Sequence, residues 1–319
     1  MEEVDKMSHR LRTCGAAAVL LLLLTLLSSC GQPTVPNETA TDYNQYIPSH
    51  GVTAYTKDLY IFFDSGRLFY VGRSQPSQLS PLCFQADCDH KNSSCTAWLN
   101  TPSRSIYAAG DNLYYIDADK DAKPALYRMD LSGGGRELVK SLNILNEESW
   151  PGISSLGYSF RVYGSYLAIE LNLLQEDSWQ HKIYLTGIDS KDEGVFLFGE
   201  EGDSDKSYIA IEFRENWLFV TEKNAADGTN TLWGYNFTTQ EAVPLVEGWD
   251  ISNCFTVQDG ILYWAVTGDG VYSMDMEKKS VTKHRSFDPV SEYGAAAYDD
   301  QYLYLTNAIR YMDSQGTVP

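Results

Sequence analysis

Three features of the 319-residue sequence predict an all-β fold built from six repeats. First, a short apolar strand anchored on leucine recurs as GRLFYV, DNLYYI, SYLAIE, NWLFVT, GILYWA and QYLYLT, aligning Leu68, Leu113, Leu167, Leu218, Leu262 and Leu303. Second, these leucines are 45, 54, 51, 44 and 41 residues apart, and a period of about 40 to 50 residues made only of short strands is the signature of propeller blades. Third, a second strand follows five of the six, as LYRMDL from Leu126, IYLTGI from Ile183, LWGYNF from Leu232, VYSMDM from Val271 and IRYMDS from Ile309. No amphipathic helical stretch interrupts the series. The expectation is a six-bladed β-propeller of four-stranded antiparallel blades over residues 47–319.

Taken in order, the chain opens on a targeting device. Residues 15–27 form a nearly unbroken apolar run of 13, preceded by Lys6, Arg10 and Arg12, too short to span a bilayer comfortably and suited to the core of a signal peptide. Met7 offers a second start with a cleaner basic region than Met1. Residues 27–31, LSSCG, resemble the bacterial lipobox, in which small residues precede a cysteine that is diacylated and becomes the mature N-terminus. That resemblance implies cleavage after residue 29 and lipidation of Cys30, and two acyl chains suffice for stable anchoring. The alternative is an ordinary secretory signal that contains a cysteine. Residues 30–46 are polar, carry Pro33 and Pro36 and lack apolar periodicity, the composition of a flexible tether. The expected place is therefore the outer face of the cell membrane.

Charge excludes one class of partner. The formal net charge is -19, whereas phosphate backbones are bound by clustered Lys and Arg, so nucleic acid is not expected. Residues 1–29 carry three basic groups (Lys6, Arg10, Arg12) and three acidic ones (Glu2, Glu3, Asp5), so the exported part keeps the whole -19. Such a charge keeps a protein soluble.

Within each repeat the remaining strands can be placed. Upstream strands at 59–63, 106–109, 208–213, 254–257 and 293–298 are expected nearest the axis, where crowding favours the small side chains of Ala108, Ala109 and residues 295–297. Outer strands follow turn residues at 137–139, 195–198 and 243–246. Closure of the last blade is expected from a strand at 47–55. The pairs LYYID with LYRMDL (from Leu113 and Leu126) and LYW with VYSMD (from Leu262 and Val271) resemble the six-bladed TolB-like and YWTD-like propellers, particularly repeat-bearing lipoproteins of anaerobic Gram-positive bacteria. The resemblance covers nearly all of 57–319 and implies the fold, not an activity; Tyr263-Trp264-Ala265-Val266 departs from the YWTD tetrapeptide in its last two positions.

The sharpest candidate for chemistry is a Cys-rich insert at 83–95, assigned to the first blade, with Cys83, Cys88, His90 and Cys95 in the spacing C-x4-C-x-H-x4-C. Three thiols and an imidazole could close a tetrahedral zinc site. An exported chain also oxidises its thiols, which favours disulfides among these three and Cys254, with three possible pairings. The resemblance implies a structural role for such a Cys-Cys-His-Cys run.

Other motifs are weaker. Asp117, Asp119 and Asp121 begin like a calcium loop, but Ala122 and Arg128 stand where that loop needs Gly and Glu, which leaves a solvated hairpin tip. Gly133-Gly134-Gly135 reads as a turn, since no GK[ST] and no helix follow. Trp150, Trp179 and Trp249 fall between predicted strands, where they either cap blade ends or supply aromatic surface for a sugar or peptide. No nucleophile elbow or HExxH segment occurs, and no carboxylate pair stands out among many. The function expected is a membrane-anchored binding or scaffold module for a protein, peptide or glycan. The alternative is a propeller hydrolase or lyase acting on cell-surface polysaccharide.

Overall fold

The computed structural model describes residues 53–100, 105–175, 178–191, 193–199, 205–248, 251–266, 269–286, 293–294 and 306–307, all within the compact unit Pro36–Pro319. The signal run, Cys30, the tether, Trp249 and residues 295–297 lie outside the described residues. The protein is an all-β propeller, and every repeat forms an antiparallel sheet. The first is β1 (Thr53–Tyr55), β2 (Leu59–Asp64), β3 (Arg67–Gly72) and β4 (Gln75–Pro81); the second is β5 (Ile106–Ala109), β6 (Asn112–Ala118), β7 (Pro124–Asp130) and β8 (Glu137–Ser141). Two short 3-10 turns, Asn143–Leu145 and Glu147–Ser149, lead to the third, β9 (Ile153–Tyr163), β10 (Tyr166–Gln175), β11 (Ser178–Gly187) and β12 (Val195–Phe198). The fourth is β13 (Lys206–Arg214), β14 (Trp217–Asn224), β15 (Asn230–Asn236) and β16 (Glu241–Glu247), and the fifth is β17 (Ile251–Gln258), β18 (Ile261–Val266), β19 (Gly270–Asp275) and β20 (Ser280–Ser286). Among the described residues the sixth repeat contributes β21 (Tyr293–Gly294) paired with β22 (Thr306–Asn307).

Strand order within a blade follows chain order, and β1 packs beside β5, β5 beside β9 and β9 beside β13. The first strand of each blade is therefore innermost. Because side chains alternate between sheet faces, each blade feeds two separate apolar layers. On β6, Leu113 and Tyr115 enter the layer shared with the first blade, alongside Ala54, Ile61 and Leu68. Tyr114 and Ile116 enter the layer shared with the third, with Phe160, Leu167, Ile169 and Leu171. Two further layers lie between the third and fourth and between the fourth and fifth blades. The core thus consists of slabs between blades, and Ala108 and Leu113 in the first slab are 2% and 0% exposed.

Several expectations need correction. The strand equivalent to DNLYYI in the first blade is β2, LYIFFD from Leu59, so Leu68 falls on the third strand, β3, and is not the repeat anchor there. The slip has a physical cause: β2 and β3 are both short apolar strands, while the innermost strand β1 has only three residues and leaves little pattern to count. The strand at 59–63 is accordingly second from the axis, not first. The described end of the 47–55 segment, β1, belongs to the first blade, where it pairs with β2, and not to the last. Consequently the Cys-rich insert interrupts no hairpin and lies in the connection from β4, the outermost strand of the first blade, to β5, the innermost of the second. The outer strands at 137–139, 195–198 and 243–246 stand as read, in β8, β12 and β16.

Candidate metal centre

The insert folds back onto the turn between β2 and β3. Leu68 N–H donates to Ala97 O (2.8 Å), Leu99 N–H to Gly66 O (3.0 Å) and Leu82 N–H to Leu68 O (2.9 Å). These bonds carry Leu82, Cys95, Ala97 and Leu99 into the slab between the first two blades, each no more than 2% exposed. Between Cys88 and Cys95 the chain turns tightly: the Asp89 carboxylate accepts from Lys91 N–H (3.2 Å), Asn92 Oδ1 accepts from Ser94 N–H (2.9 Å), and His90 sits at φ 55°. Asp and Asn favour such turns because their side chains cap the backbone two residues on. Arg67 Nη1 then ties the His90 carbonyl to the first blade at 3.2 Å.

These turns bring four ligand atoms together. The sulfurs of Cys83, Cys88 and Cys95 and a ring nitrogen of His90 all lie within 4.8 Å of one another, and all three thiols are free. His90 Nδ1 is 3.3 Å from Cys95 Sγ. Zinc–sulfur bonds of about 2.3 Å at tetrahedral angles separate ligand atoms by about 3.8 Å, so a modest inward collapse suffices to close a site. The donor set, three thiols and an imidazole, suits a soft or borderline divalent ion and not calcium or magnesium. Protonation is uneven. Burial raises the Cys83 thiol, but hydrogen bonds from Thr96, the Gln85 backbone and Cys95 outweigh it and bring it down to about 6. Burial pushes Cys95 up to about 12, the Ala97 backbone opposes this, and the neighbouring Cys88 and Cys83 add to it. Clustered thiols cannot all ionise without a cation among them.

The second blade grips the same insert from the other side. Gly133 holds φ +84°, and a Cβ there would stand 2.6 Å from Leu82 O and 2.7 Å from Cys83 N. The glycine turn is thus a close backbone approach to the first ligand. From the next residues Arg136 reaches across: Nη1 donates to Trp98 O (3.0 Å) and Nη2 pairs with Asp117 Oδ2 (2.5 Å). Its guanidinium lies 5.6 and 5.0 Å from the ring centres of Tyr115 and Tyr127, which stack on each other. Asp117 also accepts from Asn100 N–H at 3.1 Å. The expected solvated tip is therefore split: the Asp117 side chain is 0% exposed, while Asp119 caps its own turn by accepting from Asp121 N–H (2.8 Å) and Lys123 N–H (2.9 Å). No calcium loop forms there. Arg136 and Asp117, 19 residues apart, carried no local signal of their partnership.

The tryptophans part company. Trp150 is half-buried, donates from Nε1 to Ile144 O (2.8 Å) and meets Phe196 edge-on, so it caps a blade end. Trp179 on β11 remains 49% exposed. Cys254 falls on β17 in the fifth blade.

No protein family profile matches the chain, and no curated protein does. Among solved structures it is similar to an oligogalacturonate lyase in complex with manganese, at 13% identity over 73% of this chain and 63% of that one, with a TM-score of 0.44. It is also similar to a putative TolB from Agrobacterium tumefaciens, at 13% identity over 73% and 79% of the two chains and a TM-score of 0.42. A nidogen/laminin complex matches at 14% identity over 79% and 86%, with a TM-score of 0.40. This chain spans 63% of the length of that lyase.

Proposed function

We propose that this is an exported lipoprotein, anchored through Cys30 to the outer face of the cell membrane, whose six-bladed propeller is a rigid binding or scaffold module for a protein, peptide or glycan. In this reading Cys83, Cys88, His90 and Cys95 hold one structural zinc. The observation that carries it is the convergence of those four side chains in a connection gripped by both neighbouring blades. Placed there, the ion neutralises the thiolates and locks the longest inter-blade link of the first half of the chain. A centre with four protein ligands leaves no open position for substrate, which assigns it to stability and not turnover. The apolar run at 15–27 and the LSSCG sequence ending at Gly31 support the anchor.

Two measurements test the reading. Native mass before and after chelation should show loss of one zinc, with Cys83, Cys88 and Cys95 all alkylatable once the protein is denatured; a disulfide among them rejects the centre. Labelled fatty acid should enter the wild-type protein in bacterial cells and not Cys30→Ala, and equal labelling of both removes the anchor. Turnover of a cell-surface polysaccharide by the purified chain would replace the platform reading with the hydrolase or lyase one.

A further inference from the structure

The two faces of the third blade differ at the same height. Its strands β9, β10 and β11 run 11, 10 and 10 residues, longer than any other strand among the described residues. On the face toward the second blade, Leu173 and Leu156 are only 1% and 7% exposed beneath the slab that the 3-10 turns complete. On the opposite face the register sets Leu174 beside Trp179, Asn172 beside His181, and Glu170 beside Ser159. Here Asn172, His181 and Glu170 are only half-buried and Trp179 is 49% exposed. Below them the same face becomes the apolar layer of Ala168, Leu185 and Tyr208. A polar, aromatic-topped strip therefore lies open at the rim of the third-to-fourth seam.

The strip is wired in one direction. His181 Nδ1 and Asn172 Oδ1 are 2.5 Å apart, and Asn172 Nδ2 donates to Glu170 Oε1 at 3.3 Å. The amide is thus oriented by the carboxylate, its oxygen accepts from the imidazole, and Nε2 of a neutral His181 is left as an acceptor. Burial lowers the His181 pKa, which keeps that acceptor neutral. Glu170 is raised by burial, with Asn172, Arg161 and Ser159 opposing. On the fourth-blade side Glu222 is occupied by Lys206 (3.2 Å) and by Trp233 Nε1 (3.0 Å). Among the described residues the groups that remain to meet a ligand are an indole, an imidazole acceptor and a second amide N–H, since Ser159 is taken up by Glu170.

We propose that this strip is a glycan-binding notch, in which Trp179 stacks on the apolar face of a neutral pyranose while His181 and Asn172 hydrogen-bond its hydroxyls. The proposal rests on the binding-module reading above and gives it a ligand class. Sugars present apolar C–H faces ringed by paired donors and acceptors, which an exposed aromatic beside fixed planar polar groups matches. A net charge of -19 disfavours an anionic sugar.

The test is calorimetric titration of the full chain with xylohexaose, cellohexaose, maltohexaose and chitohexaose, and with trigalacturonate as the anionic contrast. At least one neutral hexaose should bind, and trigalacturonate should not. Trp179→Ala should weaken binding about tenfold or more while melting at the wild-type temperature, and Trp179→Phe should retain most of it. Binding should also fall as His181 is protonated at acid pH, and His181→Ala should abolish that dependence. Failure of every neutral hexaose, or equal affinity in Trp179→Ala, overturns the notch. A chain that ignores all the sugars yet captures a peptide or protein overturns the notch and leaves the platform reading standing. Cleavage of a bound hexaose keeps the notch and overturns the platform.

Discussion

The junction between the first and second blades and the rim between the third and fourth are two places among the described residues where the repeat is broken, and they are broken in opposite ways. At the first junction 24 residues separate β4 from β5, and side chains of both blades tie the connection down: Arg67 to His90, Arg136 to Trp98 and Asp117, Asn100 to Asp117. At the third-to-fourth rim the strands themselves are extended, and their far ends leave Trp179 and its polar row accessible. An insertion into a connection must bury its own backbone and so recruits partners. An extension of existing strands already has its ladder satisfied and is free to display side chains. Tied and buried side chains gather at the first place, and exposed ones at the second.

The largest effect expected at the tight junction comes from Asp117→Ala. The carboxylate is 0% exposed and its partner Arg136 22% exposed, so the substitution strands a guanidinium above Tyr115 and Tyr127 and leaves Asn100 N–H without its acceptor. Removing one member of a buried ion pair costs about 3 to 5 kcal/mol, which urea melting should reveal. A loss below about 1 kcal/mol would mean that water reaches Arg136 and that the junction is looser than its hydrogen bonds imply.

Next comes Gly133→Ala. At φ +84° with Leu82 O only 2.6 Å from the added Cβ, the variant faces both left-handed strain and a backbone clash. The strain alone costs about 1 to 2 kcal/mol, and the clash must separate the glycine turn from Cys83. Loss of stability should be accompanied by weaker zinc retention in a competition with a chromophoric chelator. Unchanged retention would show that the second blade does not hold the first ligand in place.

How much of this contrast could be read beforehand depends on range. The leucine period and the alternating strands are legible because they are local, and so is the clustering of Cys83, Cys88, His90 and Cys95, which fall within 13 residues. The first-blade register was missed because a three-residue β1 carries almost no pattern. Asp117 was misplaced for a different reason: its neighbours Asp119 and Asp121 are exposed turn residues, and only the fold brings Arg136 to it. The tryptophans looked alike in sequence, yet Trp150 found a carbonyl and a ring while Trp179 stayed at the rim. Proximity across blades decides such cases, and no window along the chain contains it.

The smallest effect is expected at the open rim, from Glu170→Gln. Burial raises the Glu170 pKa above its ordinary value, against the pull of Asn172, Arg161 and Ser159. The folded state therefore holds this proton more tightly than the unfolded chain does. Its contribution is most favourable at acid pH, and is lost as pH rises through the folded pKa. A glutamine keeps an acceptor for Asn172 and removes the charge, so at pH 7 the variant should melt at or slightly above the wild type, within about 1 kcal/mol. The advantage should shrink as pH falls toward 4.5, where the unfolded glutamate also takes up its proton. A variant clearly less stable at pH 7 would show that the carboxylate is held by charge partners across the seam, which would make this rim a second closed junction like the first.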